Sequence, residues 1–129
     1  MSSSVLPVAK TIYLCDRYVG YPNGKVDLNG LFNSVRPFAG YPYRDACFCV
    51  FAQLINGLGN VPFHFDIRFA ATDELIWTSG TNELFFATRF STVQVAMTIE
   101  GCLFPHSGLY RVELFCDNTW VCDSELSFR

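Results

Sequence analysis

Two sets of residues in this chain have the types and spacing that chemistry requires. The first is a histidine, an aspartate and a pair of thiols. His64 and Asp66 stand two apart in the run Pro62–Phe69, so on a strand their side chains share a face and the carboxylate could orient the imidazole as a base. A nucleophile would have to come from a neighbouring strand, and Cys47 or Cys49 could supply it across the short loop that follows. A strand face makes a poor pocket, and exposed His and Asp are common on one, so the expectation is a protein that is not an enzyme and has no catalytic residues. His106 falls in a turn, where a polar ring is unremarkable. The six cysteines, Cys15, Cys47, Cys49, Cys102, Cys116 and Cys122, include one C-x-C and one C-x₅-C, neither of which is the spacing of a zinc site. They read as buried free thiols acting as small hydrophobes, with no metal and no cofactor. Gly57-Leu58-Gly59 is a lone G-x-G between two strands, with no helix N-terminus after it to hold a phosphate.

The second set is aromatic. Tyr18 and Tyr21 fall in a first loop, and Phe38, Tyr41 and Tyr43 in a second beside Arg36 and Arg44. Tyrosine and arginine on the loops of a rigid scaffold offer large contacts at low entropic cost. If each strand reverses direction, the second loop shares its end of the molecule with a hairpin at Asp117–Trp120. Tyr41, Tyr43, Arg44 and Trp120 then form a composite binding patch. The competing reading is that these rings fold back to cap the open ends of the core.

The elements that must position both sets are strands. Phe63, Phe65, Ile67 and Phe69 alternate with His64, Asp66 and Arg68; Val93, Val95, Met97 and Ile99 alternate with Gln94, Ala96 and Thr98; Tyr110, Val112, Leu114 and Cys116 alternate with Arg111 and Glu113. Turn chemistry separates the runs, clearest in Tyr21-Pro22-Asn23-Gly24, Asn56–Asn60 and Pro105–Gly108. At the last hairpin, a two-residue turn at Asn118-Thr119 would set Cys116 opposite Val121. Eight or nine short strands at this spacing predict an all-β fold, a single antiparallel β-sandwich occupying residues 1–129, with 1–8 as a flexible tail. Two runs break the alternation: Ala46–Leu54 is apolar on both faces, and Glu83–Phe90 is short of polar positions. Such strands are either covered on both sides or meet another chain, which makes Cys47, Cys49, Phe51 and Phe86 candidate interface residues.

Ile12-Tyr13-Leu14-Cys15-Asp16, Lys25–Phe32 and Phe104–Leu114 together resemble a family of short, uncharacterised bacterial proteins that read as immunoglobulin-like β-sandwiches. The resemblance implies a fold and carries no activity. Gly108-x-Tyr110 at the start of a strand is like the tyrosine corner of such folds, where the phenol bonds to upstream backbone. Gly30 reads as a bulge, because the alternation through Val26 and Leu28 slips at Leu31-Phe32.

Half the residues are hydrophobic and 16% are charged, against about 25% in an average domain, which excludes disorder. Nine Lys and Arg against twelve Asp and Glu give a net charge of −3, with no basic run, so nucleic acid is not an expected partner. Met1–Pro7 has no apolar stretch of the secretory type, and no run approaches the roughly 18 apolar residues of a membrane span, so the expected setting is cytoplasmic. The functional expectation is a non-enzymatic module working through a protein partner or as a homo-oligomer. The alternative is a small-molecule or carbohydrate-binding module using the loop aromatics.

Overall fold

The computed structural model describes residues 4–129, the side chains of Lys10 and Asp45 apart. Ten strands form among the described residues: β1 (Val8–Gly20), β2 (Val26–Leu31), β3 (Ser34–Val35), β4 (Tyr43–Ile55), β5 (Gly59–Phe69), β6 (Glu74–Thr78), β7 (Asn82–Phe86), β8 (Val93–Phe104), β9 (Gly108–Cys116) and β10 (Thr119–Phe128). The count exceeds the expected eight or nine because the run Lys25–Val35 divides: β2 ends at Leu31, and β3 resumes in the other sheet. One sheet has the order β2-β1-β4-β8, and the other β3-β10-β9-β5-β6, with β7 pairing the first half of β5. Pairing is antiparallel except for β3 on β10, so the sheets are antiparallel and mixed, and they do not close into a barrel.

The sheets face each other across one core. Phe63, Phe65 and Ile67 of β5, Val95 and Ile99 of β8, and Tyr110, Val112, Leu114 and Cys116 of β9 are all buried, as their alternation requires. Phe104 of β8 meets Phe128 of β10 at a ring separation of 4.3 Å and Tyr110 of β9 edge-on at 5.1 Å, which locks the two layers together. The Tyr110 hydroxyl donates to the His106 carbonyl at 2.7 Å and accepts from the His106 N–H at 3.2 Å, the corner read in Gly108-x-Tyr110.

Three local expectations are corrected. Residues 1–3 of the proposed tail lie outside the described residues, but Val5 pairs with Leu58 and β1 begins at Val8, so the chain is tied down before residue 8. The last hairpin turns at Asp117-Asn118, both at positive φ (49° and 59°), the type I′ geometry that matches strand twist. Cys116 therefore faces Thr119, and the bulge falls later, between Trp120 and Cys122. At Gly30 the β1–β2 register runs unbroken from Cys15↔Leu31 to Arg17↔Asn29, so there is no bulge. Gly30 instead sits at φ +72°, with the Asp16 carboxylate where a Cβ would stand.

That glycine marks a bend with a larger consequence. Beyond Cys15, β1 leaves β4 and pairs only with β2, and the hairpin arm turns back over the outer face of β4 and β8. Tyr18 stacks on Phe51 at 5.9 Å, and the Gln94 amide donates to the Gly24 carbonyl at the hairpin tip at 3.1 Å. Phe51 and Cys49 face away from the core, yet they are only 4% and 9% exposed. The doubly apolar character of β4 is thus satisfied within this chain: the core lies on one side and the arm on the other.

Candidate functional site

The outer face of the second sheet carries the most developed surface. It is built on β5, β9 and β10, whose registers place His64 opposite Phe115 and Phe115 opposite Trp120. A row of three rings therefore crosses three adjacent strands. The imidazole of His64 stacks on Phe115 with ring centroids 5.0 Å apart and planes 3° from parallel. Trp120, at the strand start set by the type I′ turn, is 54% exposed. Pro62 lies two residues before His64, with Glu83 opposite it on β7, and exposed Phe85 stands two residues further along that strand.

Below the rings is a lattice of charge. Asp66 and Glu113 are directly opposed and both buried, an arrangement of like charges that is unfavourable without compensation. Arg68 compensates it: its Nε donates to Glu113 Oε1 at 3.0 Å, and Nη2 lies 3.6 Å from Asp66. Arg111 adds Glu113 at 3.7 Å and also pairs with Asp73. His64 Nε2 lies 3.6 Å from Asp66, so the lattice reaches up to the aromatic row and holds its first ring. The surface is flat, rigid and amphipathic, with an exposed indole at its rim.

Of the composite patch, the structure places only Trp120 here. Tyr41 and Tyr43 pack on Phe128, at the opposite end of β10 from Trp120, and the Tyr41 hydroxyl donates to the Arg129 carbonyl at 2.9 Å. Arg44, exposed in β4, belongs to the first sheet. The second loop does not share an end with Trp120, because β3 and the loop after it carry the chain across from one sheet to the other and the loop closes the far end of the core. Phe86 is fully buried against Gly57 and cannot meet a partner. Cys49 and Phe51 lie under the arm, and Cys47 alone of the four interface candidates is exposed.

The imagined thiol–imidazole pair is also separated. β4 and β5 are joined by a short loop but enter different sheets, so Cys47 and His64 lie on opposite outer faces. All six cysteines are free and five are buried. Burial pushes the Cys102 and Cys116 thiols up to about 11, which suits inert core residues. Among the described residues, no group of three or more His, Cys, Asp or Glu side chains is placed to hold a metal ion. No helix among them is long and apolar enough to cross a membrane. Phe115 and Phe85 join the candidate residues only through the structure. The signal for Phe115 was present, since it is the apolar residue at an outward position between inward Leu114 and Cys116.

Fold and surface together define an all-β, two-sheet protein with an aromatic-and-charged outer face. The chain belongs to a family of unknown function, DUF6941, whose profile matches residues 10–129. No curated protein matches it.

Proposed function

We propose that this protein is a non-enzymatic interaction module, an immunoglobulin-like sandwich that works in the cytoplasm by presenting the outer face of its second sheet to a protein. The partner is another chain or a second copy. One observation carries the reading: the row Trp120–Phe115–His64 is an aromatic strip on a sheet face, its indole exposed and its other two rings half-buried, backed by ordered arginines and carboxylates. Trp, Tyr and Arg dominate the energetics of protein interfaces, and a flat face suits a protein better than a small ligand. The five buried thiols accord with a reducing compartment.

The test joins light scattering on the purified chain with crosslinking and recovery of the tagged chain from its native cell. Expected is a discrete oligomer or a stoichiometric partner that is lost from Trp120→Asp while the thermal midpoint holds. A strict monomer with no partner recovered sinks the reading, as does a partner indifferent to Trp120→Asp. Ligand binding by Tyr41 and Tyr43 has less behind it, because both rings are engaged with Phe128.

A further inference from the structure

The β1–β2 arm does not lie flat along its whole length. Between its tip and the outer face of β4 and β8 is an open cleft of about 450 Å³, formed by Tyr21 and residues 23–27 on one side and Gln53 and Gln94 on the other. That volume falls within the usual range of small-molecule sites, about 300–1,000 Å³. We propose that this cleft binds a neutral, polyhydroxylated ligand, a saccharide.

The lining argues for that class. Gln53 and Gln94 are directly opposed on adjacent strands, and each amide carries both donors and an acceptor, the combination that vicinal hydroxyls satisfy in pairs. The bond from Gln94 Nε2 to the Gly24 carbonyl fixes that amide and leaves its oxygen to accept. Asn23 is fixed in the same way: its Oδ1 accepts from the Lys25 N–H at 3.0 Å, leaving its amide hydrogens to donate. The Tyr21 hydroxyl donates to Asp27 Oδ2, which orders the carboxylate and leaves Oδ1 to accept. Lys25 and Asp27 cancel in charge, so the cleft has no excess of cation to select an anion, and the chain as a whole is at −3. An apolar ligand would cover the Gln53 amide, the Gln94 oxygen and the Asn23 amide hydrogens without giving them partners, which costs free energy. The half-exposed Tyr21 ring supplies the one flat apolar surface, which suits the C–H face of a sugar. The backbone of both walls is set without a ligand, the arm by Tyr18 on Phe51 and the floor by the β4–β8 ladder, so binding has only side chains to order.

The experiment is an amide-resolved NMR titration of the full chain with D-glucose, D-galactose, D-mannose, N-acetyl-D-glucosamine and maltose, each to about 50 mM, and with inorganic phosphate. At least one sugar is expected to shift the signals of Asn23–Asp27, Gln53 and Gln94 saturably, with a dissociation constant on the order of 1 mM or tighter. Gln53→Leu is expected to weaken that binding about tenfold at an unchanged thermal midpoint. Because Gln94 also holds the arm, Gln53→Leu is the deciding variant and Gln94→Leu the supporting one. The proposal is overturned if none of the five sugars gives a saturable shift, if the shifts centre on Trp120 or Tyr41, if phosphate binds the cleft more tightly than any sugar, or if Gln53→Leu binds as the parent does.

Discussion

The arm that folds over β4 can be tested through the thiols beneath it. Cys15 and Cys49 are cross-strand partners on the covered face, and Cys47, two residues from Cys49 on the same face, is exposed beyond the arm. Burial is the main cause that raises the Cys15 thiol above its ordinary value, so it reacts slowly while covered. Tyr18→Ala removes the ring that stacks on Phe51. The aromatic pair contributes about 0.5–1.5 kcal/mol beyond its area, and burial of about half a ring adds roughly 1–2 kcal/mol. A loss of about 2–3 kcal/mol in docking multiplies the open population roughly 30- to 150-fold. Alkylation from the open form follows that population when closing is fast. Peptide-resolved alkylation at about pH 7.5 should therefore find Cys47 first in the parent, with Cys49 and Cys15 far behind. In Tyr18→Ala, Cys49 and Cys15 should accelerate by that factor, while core Cys116 stays within about threefold. If Cys49 keeps its rate, the arm does not guard that face. If Cys116 accelerates equally, the arm and the core open together and the docking is not local.

Three further outcomes follow from the same geometry. Tyr110→Phe strips the hydroxyl that serves both the carbonyl and the N–H of His106, and should cost about 1–3 kcal/mol in urea unfolding at an unchanged slope. Arg68→Met leaves Asp66 and Glu113, both buried, facing each other with reduced compensation, and should destabilise by about 2–4 kcal/mol; the double variant with Glu113→Gln should recover part of that loss. Cys102 and Cys116 are held protonated up to about 11 in the folded chain, against an ordinary value near 9.0, so their contribution is complete below pH 9 and is lost as pH rises towards 11. Stability measured across that window should fall, and Cys116→Ala should flatten the fall.

Much of the architecture was legible because alternation is a local signal. The inward sets on β5, β8 and β9 follow from period two alone, and the Tyr110 corner follows from one glycine and one tyrosine at fixed spacing. What was not legible depends on where strands go after they form. Nothing in Asn56–Asn60 states that β4 and β5 enter different sheets, yet that choice separates Cys47 from His64. Likewise, the crossing through Ser34–Val35 places Tyr41 and Trp120 at opposite ends of β10, and the parallel pairing that causes it involves only two residues. The aromatic row was half visible. Alternation puts His64 on an outer strand face and the hairpin puts Trp120 in a candidate patch, but their common neighbour Phe115 is supplied by register, which is a property of three strands at once.

The composition of the chain has a more specific meaning once these positions are known. An apolar-rich, charge-poor sequence can signal a partner, and β4 with its two apolar faces is where that inference naturally falls. Yet the second face of β4 is covered by the chain's own β1–β2 arm, so Cys49 and Phe51 already have their neighbours. Among the apolar groups that remain without such cover are Trp120 and Phe85 on the second sheet, and Phe38 and Phe90 on loops, the last two almost wholly exposed. The proposed binding face on the second sheet accords with Phe51 being buried and Trp120 exposed. The first sheet still exposes Val8, Tyr13, Leu31, Ile55 and Leu103, but Cys49 and Phe51 at its centre are closed off by the arm. Opening the arm by Tyr18→Ala should accordingly create a new, non-native stickiness that Trp120→Asp does not remove, and a concentration series in light scattering separates the two.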